Sequence, residues 1–201
     1  VDSTKIAGEA ERIHKTSATV TAALGRLLTA GAMMGSMLKN PEDSVTLRLS
    51  GGGPAGKFTV VADGAGMVKG DVENPIVEIP LNNYGKLDVA GAVGKDGSLT
   101  VIRDLGFARP TIGSVPIVSG EIAEDVTYYY AVSEQVPTVC SLGVLVNPDL
   151  TVASAGGFLV QLLPGADDSV IDRLEANINK LPAVSQMIAD GMTPEQIAFA
   201  A

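Results

Sequence analysis

With 201 residues and 46% hydrophobic content, the chain is long enough for one sizeable core plus an appendage, which excludes a disordered segment. Its 23 acidic residues against 14 basic ones give a net charge of -9, so nothing general draws it to nucleic-acid phosphates or anionic lipid. One Cys, one His and no Trp leave few nucleophiles, metal ligands or general bases, and point to a protein that works through surfaces.

In chain order, Ile6, Ala10 and Ile13 fall at helical spacing, and the cap candidate Ser17 opens a second helical segment running to Lys39. Gly25, Gly31 and Gly35 weaken that helix intrinsically, which makes sense if neighbours pack close to its backbone, so it reads as a buried central helix. Its apolar run, Leu27 to Leu38, is too short to span a bilayer, and no signal peptide is visible. From Val45 to Val118 the pattern turns strand-like, at 45–49, 58–61, 76–79 and 99–102, with Asp63-Gly64 and Asp96-Gly97 as turns. Such short connections imply mostly antiparallel pairing. A helix follows from Glu121 to about Gln135, then strands over Val139 to Val146 and Leu150 to Leu163, turned by Asn147-Pro148-Asp149. The class is α+β: a layered core of mixed or antiparallel sheet with packed helices over residues 1–165, then a helical arm over 166–201. In the arm, Ile171, Leu174, Ile178, Val184, Met187, Ile188 and Ile197 form an apolar stripe expected to cover something, with Gly191 as a C-cap and Thr193-Pro194-Glu195-Gln196 as a capping box.

The candidate chemistry is thin. Gly51-Gly52-Gly53-Pro54-Ala55-Gly56-Lys57-Phe58 has the Gly and Lys spacing of a phosphate-binding loop, but Phe58 stands where magnesium chemistry needs Ser or Thr. A strand rather than a helix also follows it, so the glycines are expected to make a tight strand connection. Cys140 lies in an apolar strand-like run, where thiols are inert small hydrophobes; a lone cysteine makes no internal disulfide and suits a reducing cytoplasm. His14 reads as a helix C-terminal residue, and no third group orients a Cys140–His14 dyad. One His and one Cys cannot furnish a structural zinc site. Of Tyr128-Tyr129-Tyr130, which point in different directions on a helix, at least one is expected in the core. No catalytic residue emerges.

The stretches Ser17 to Ala30, Gly51-Gly52-Gly53-Pro54, Gly85-Lys86-Leu87-Asp88-Val89, Arg103-Asp104-Leu105-Gly106, Val118-Ser119-Gly120-Glu121, Thr127-Tyr128-Tyr129, Ser133-Glu134-Gln135-Val136-Pro137, Ala155-Gly156-Gly157-Phe158 and Gln161-Leu162-Leu163-Pro164 together resemble the redox-regulated holdase chaperones of the heat-shock protein 33 family. The likeness runs along the whole chain in order. It implies an ATP-independent cytoplasmic chaperone that binds unfolding client proteins under oxidative stress, and a homodimer with an α/β core, a helical linker and a C-terminal zinc domain. In that family, thiolates of a Cys-X-Cys and a Cys-X-X-Cys hold Zn2+ in the reduced protein. Oxidation forms two disulfides, expels the metal and unfolds zinc domain and linker, exposing client-binding surface.

Two departures follow. The resemblance places Ala201 inside the linker, so the switch cysteines are missing, and a first strand before Val1 is missing as well; with no starting Met, the chain reads as a fragment. Cys140 matches no switch cysteine, so neither a zinc ligand nor a redox residue carries over, and no cofactor is expected on this chain. Client contacts are expected on the sheet and on the arm stripe. Three function classes remain open: a holdase, an NTP-dependent enzyme using Gly51 to Lys57, and a passive oligomeric scaffold.

Overall fold

After helix α1 (Thr4–His14) the chain enters α2 (Ala18–Ser36), which is buried around most of its circumference. The computed structural model describes residues 1–163 and 165–201, with the side chains of residues 168 and 171 outside that description. The three α2 glycines stand where neighbours come closest. A Cβ on Gly25 would lie 2.9 Å from Val144, one on Gly31 2.6 Å from Val60, and one on Gly35 2.9 Å from Ala62. Val144 and Val60 belong to different sheets, so α2 is the filling between two β layers, as its small-residue pattern requires.

On one side lies a five-stranded antiparallel sheet in the order β3-β2-β1-β4-β5, from β1 (Ser44–Ser50), β2 (Lys57–Asp63), β3 (Val68–Val72), β4 (Ser98–Asp104) and β5 (Thr111–Pro116). Strict alternation puts Val45, Leu47, Leu49, Phe58 and Val60 on the face turned to α2, buries Leu99 and Val101 beside them on the same face, and leaves Arg48 outside. Two of the strands, β3 and β5, carry glycines and were not legible; so was a short helix α3 (Val89–Val93) capped by Asp88, whose side chain accepts from the Gly91 N–H at 2.9 Å. The expected strand over 76–79 does not form. Instead the Ser17 hydroxyl donates to the Val77 carbonyl at 2.9 Å and accepts the Val77 N–H at 3.1 Å, pinning that segment to the start of α2. Ser17 does hold the N-cap position, but its side chain is spent on Val77 and caps no helix N–H.

On the other side of α2 lies a hairpin of β6 (Thr138–Val146) and β7 (Val152–Gln161). The expected helix before it appears as α4 (Ala123–Tyr129), followed by a π-helical turn over Tyr130–Glu134. Tyr129 and Tyr130 are core residues, their rings edge to face at 5.6 Å. The remaining helices are α5 (Asp168–Ile178), α6 (Val184–Ala189) and α7 (Pro194–Ala200). The capping box of α7 forms, with Pro194 in its first turn, and Gly191 follows α6 with φ 87°.

Candidate functional site

The apolar stripe divides. Val184, Met187 and Ile197 are 2%, 2% and 3% exposed and form a cluster with Phe158, Leu181, Ile188 and Met192 that is separate from the main core. Helices α6 and α7 bring these side chains onto the face of the β6–β7 hairpin turned away from α2. The cover therefore lies on the hairpin and not on the five-stranded sheet. Gly156 and Gly143 make the approach possible: a Cβ on Gly156 would sit 2.2 Å from Ile188 Cδ1, and one on Gly143 2.8 Å from Ser185 Oγ. The buried Ser154 hydroxyl donates to the Ser185 carbonyl at 2.8 Å, the polar clasp of this contact.

Leu174 and Ile178 sit apart from this cluster, on α5, which buries none of its described side chains. The side chain of Ile171 lies outside the described residues. Phe199 on α7 is 95% exposed. The arm thus presents a seated part, α6–α7, and an unseated part, α5.

The other candidates behave as simple chemistry dictates. The loop from Gly51 to Gly56 spends its amides on α3, with Gly53 N–H donating to Val93 O and Ala55 N–H to Ala92 O, both at 3.0 Å. Those groups cannot cradle a phosphate, and β2 follows where a helix would be needed. Cys140 is half-buried beside the core, and burial pushes its thiol up to about 12. His14 closes α1, its Nε2 donating to the Gly70 carbonyl at 3.0 Å. One Cys on β6 and one His on α1 do not fit a zinc site, and no group of three His, Cys, Asp or Glu occurs among the described residues. No described helix is long and apolar enough to cross a membrane.

Sequence reasoning missed a polar knot. Arg103 on β4 is ion-paired with Glu134, and the Tyr129 hydroxyl donates to Glu134 Oε1 at 2.5 Å. Arg103 also donates to the Tyr129 oxygen at 3.1 Å. Burial alone would raise the pKa of Glu134, but the hydrogen bonds from Arg103 and Tyr129 outweigh it and hold the carboxyl below its ordinary range. The π turn is what swings Glu134 back to Arg103, a displacement that residue type does not announce. The knot closes a cleft of about 210 Å³ whose wall includes Met34 and Met37.

The arm thus adds to the hairpin a small apolar cluster that is separate from the main core. The sequence matches the family described as Hsp33 protein over residues 1–200. It is 52% identical over 194 residues to the 33 kDa chaperonin of Geobacillus sp. (strain WCH70), covering 96% of this chain and 65% of that protein. It is 48% identical to the 33 kDa chaperonin of Clostridium tetani, covering 96% and 66%. The crystal structure of the 33 kDa chaperonin (heat shock protein 33 homolog) of Thermotoga maritima superposes with a TM-score of 0.92 at 40% identity, over 98% of this chain and 67% of that one. The chain belongs to the Hsp33 family, and it spans about two thirds of the length of these relatives.

Proposed function

We propose that this chain is the client-holding part of an ATP-independent chaperone, cytoplasmic and homodimeric, that binds unfolding proteins under oxidative stress and prevents their aggregation. In this reading residues 1–165 are the chaperone core and 166–201 a linker arm. The observation that carries it is the separateness of the α6–α7 cluster: Val184, Met187 and Ile197 bury themselves on Phe158 without joining the main core.

A cover must be held firmly enough to stay shut and weakly enough to be released. Three buried aliphatic side chains contribute about 1.5–3 kcal/mol each before the cost of ordering two short helices, whereas the main core holds many more. The cover can therefore leave while the core stays folded. The client-facing residues are then Val184, Met187, Ile188 and Ile197 with the hairpin face beneath them, while Leu174 and Ile178 make the unseated half of the stripe. Redox control and Zn2+ belong to the reading as properties of the full-length reduced protein, since this chain offers a single thiol.

The test is aggregation of a chemically denatured client, followed by light scattering, with this chain added and nucleotide absent. Suppression at near-stoichiometric chain supports the holdase. Stable self-association with no effect on the client, before and after the arm is detached, would leave a passive scaffold instead.

A further inference from the structure

Strand β3 is an edge of the five-stranded sheet, and its free side faces a groove rather than open solvent. The Glu73 N–H donates to Lys57 O and the Asp63 N–H to Met67 O, so odd-numbered residues of this strand turn their backbone groups toward β2. Antiparallel alternation then directs the N–H and C=O of Val68 and Gly70 outward. One of these groups, the Gly70 carbonyl, already takes a hydrogen bond from His14 at the end of α1. The N–H groups of Val68 and Gly70 have no hydrogen-bond partner among the described residues.

Between that edge and α1 runs a groove of about 320 Å³ with an apolar floor made by Ile6, Ala10, Ile13 and Leu28. The three α1 positions recur at helical spacing and line one wall along the strand. The charges at the rim are not balanced. Glu9 is held by Arg12 at 2.6 Å, while Lys5 and Lys69 have no ion-pair partner among the described residues and outnumber the remaining nearby carboxylate, Asp71. In a chain of net charge -9 this is a local cationic rim around apolar floor and free strand edge.

We propose that this groove takes an extended, apolar polypeptide segment with an acidic flank, which adds to β3 as a further strand while its side chains enter the floor beside Ala10. Backbone pairing recognises extended chain whatever its sequence, the floor selects apolar side chains, and Lys5 and Lys69 meet the carboxylate. A segment of about six residues spans the strand. The inference rests on the chaperone reading and adds to it a second place, on the β3 edge rather than on the hairpin face, where an unfolded client is gripped by its main chain.

The probe is a fluorescent six-residue peptide of Val, Leu and Ile ending in Glu, titrated with the chain and followed by anisotropy; a twin carries N-methyl groups on alternate residues. The unmodified peptide is expected to bind and the twin, unable to pair on one edge, to bind at least tenfold more weakly. Ala10→Phe, which fills the floor, is expected to weaken binding about tenfold with the circular dichroism spectrum unchanged. Should that variant misfold, the exposed Lys5→Glu/Lys69→Glu pair serves, with a loss that shrinks as salt is raised. No binding, equal binding of the twin, or affinity unmoved by both variants overturns the groove. A chain that suppresses client aggregation yet fails these tests keeps its chaperone reading; one that grips the peptide here but holds no client keeps the groove and loses that reading.

Discussion

The carboxylate of Asp125 holds Ile122 in a γ-turn: Asp125 Oδ2 accepts the Ile122 N–H at 2.9 Å while Ile122 sits at φ 74°, ψ -47°. That region is sparsely populated even for flexible residues and is strained for a β-branched one. The turn is closed by the Ala123 N–H donating to Glu121 O at 2.9 Å. The same fully buried carboxylate accepts the N–H groups of Val118, Ser119 and Gly120 at 2.8 to 3.0 Å, so one side chain organises the whole entry into α4.

Replacing Asp125 by Ala should therefore cost about 3 kcal/mol or more, since several N–H groups lose their acceptor at once. Ile122→Gly sets two effects against each other. Relief of backbone strain offers about 1–3 kcal/mol, but losing a fully buried Ile side chain costs about 2–5. The loss wins, and a urea midpoint above that of the parent chain would show the strain to be larger than argued.

Cys140 supplies a pH dependence with a definite sign. Its thiol is raised from an ordinary value of 9.0 to about 12 by burial, so the unfolded chain ionises first as pH rises. Stability is fully present below about pH 9 and falls between 9 and 12, by at most about 1.4 kcal/mol per pH unit from this group. Tyr130, raised in the same direction by burial, adds to the fall at higher pH. Urea midpoints at pH 7 and 10 should drop less in Cys140→Ala than in the parent. At neutral pH, iodoacetamide should label the native thiol at least a hundredfold more slowly than the unfolded one, and mild peroxide should leave the fold unchanged.

The glycine loop yields a contrast between neighbours. Lys57 is exposed, and Lys57→Ala should change stability by less than about 0.5 kcal/mol, with no ATP binding by calorimetry before or after. Gly53→Ala should instead cost several times that, because its Cβ would lie 2.4 Å from the Ala92 carbonyl oxygen, and backbone cannot step aside as a side chain can. Micromolar nucleotide affinity lost with Lys57 would restore the enzyme reading.

Much of this architecture was legible because it rests on periodicity and small residues. The glycines of α2 announced close neighbours, and the box at Thr193 to Gln196 formed as spelled. What stayed hidden depends on pairing across distance. Gly70 and Gly113 dilute β3 and β5, whose strand character comes from a neighbour's ladder rather than from their own residues. Residues 76–79 carry strand-forming types but meet Ser17 instead of a sheet edge. The periodicity of the arm pointed to an apolar face but could not say where α5 parts from α6, since the seating of α6 depends on the two close approaches at Gly143 and Gly156.

The cover itself can be tested without cutting the chain. Met187 is 2% exposed in the small cluster, and Met187→Asp would force a carboxylate into apolar surroundings or drive α6–α7 off the hairpin. Burying the charge unpaired costs several kcal/mol, comparable to all that the cluster contributes, so undocking is the cheaper outcome. The main core, which shares no buried residue with that cluster, should keep its thermal transition within a few degrees while binding of a hydrophobic dye rises severalfold. A denatured client should then be held at a lower chain concentration. Phe199→Ser, at a side chain already 95% exposed, controls for the mere removal of apolar surface from the arm and should leave stability and cover in place. If Met187→Asp raises dye binding with the core intact and client holding does not improve, the face beneath α6–α7 is ordinary packing and the client surface lies elsewhere.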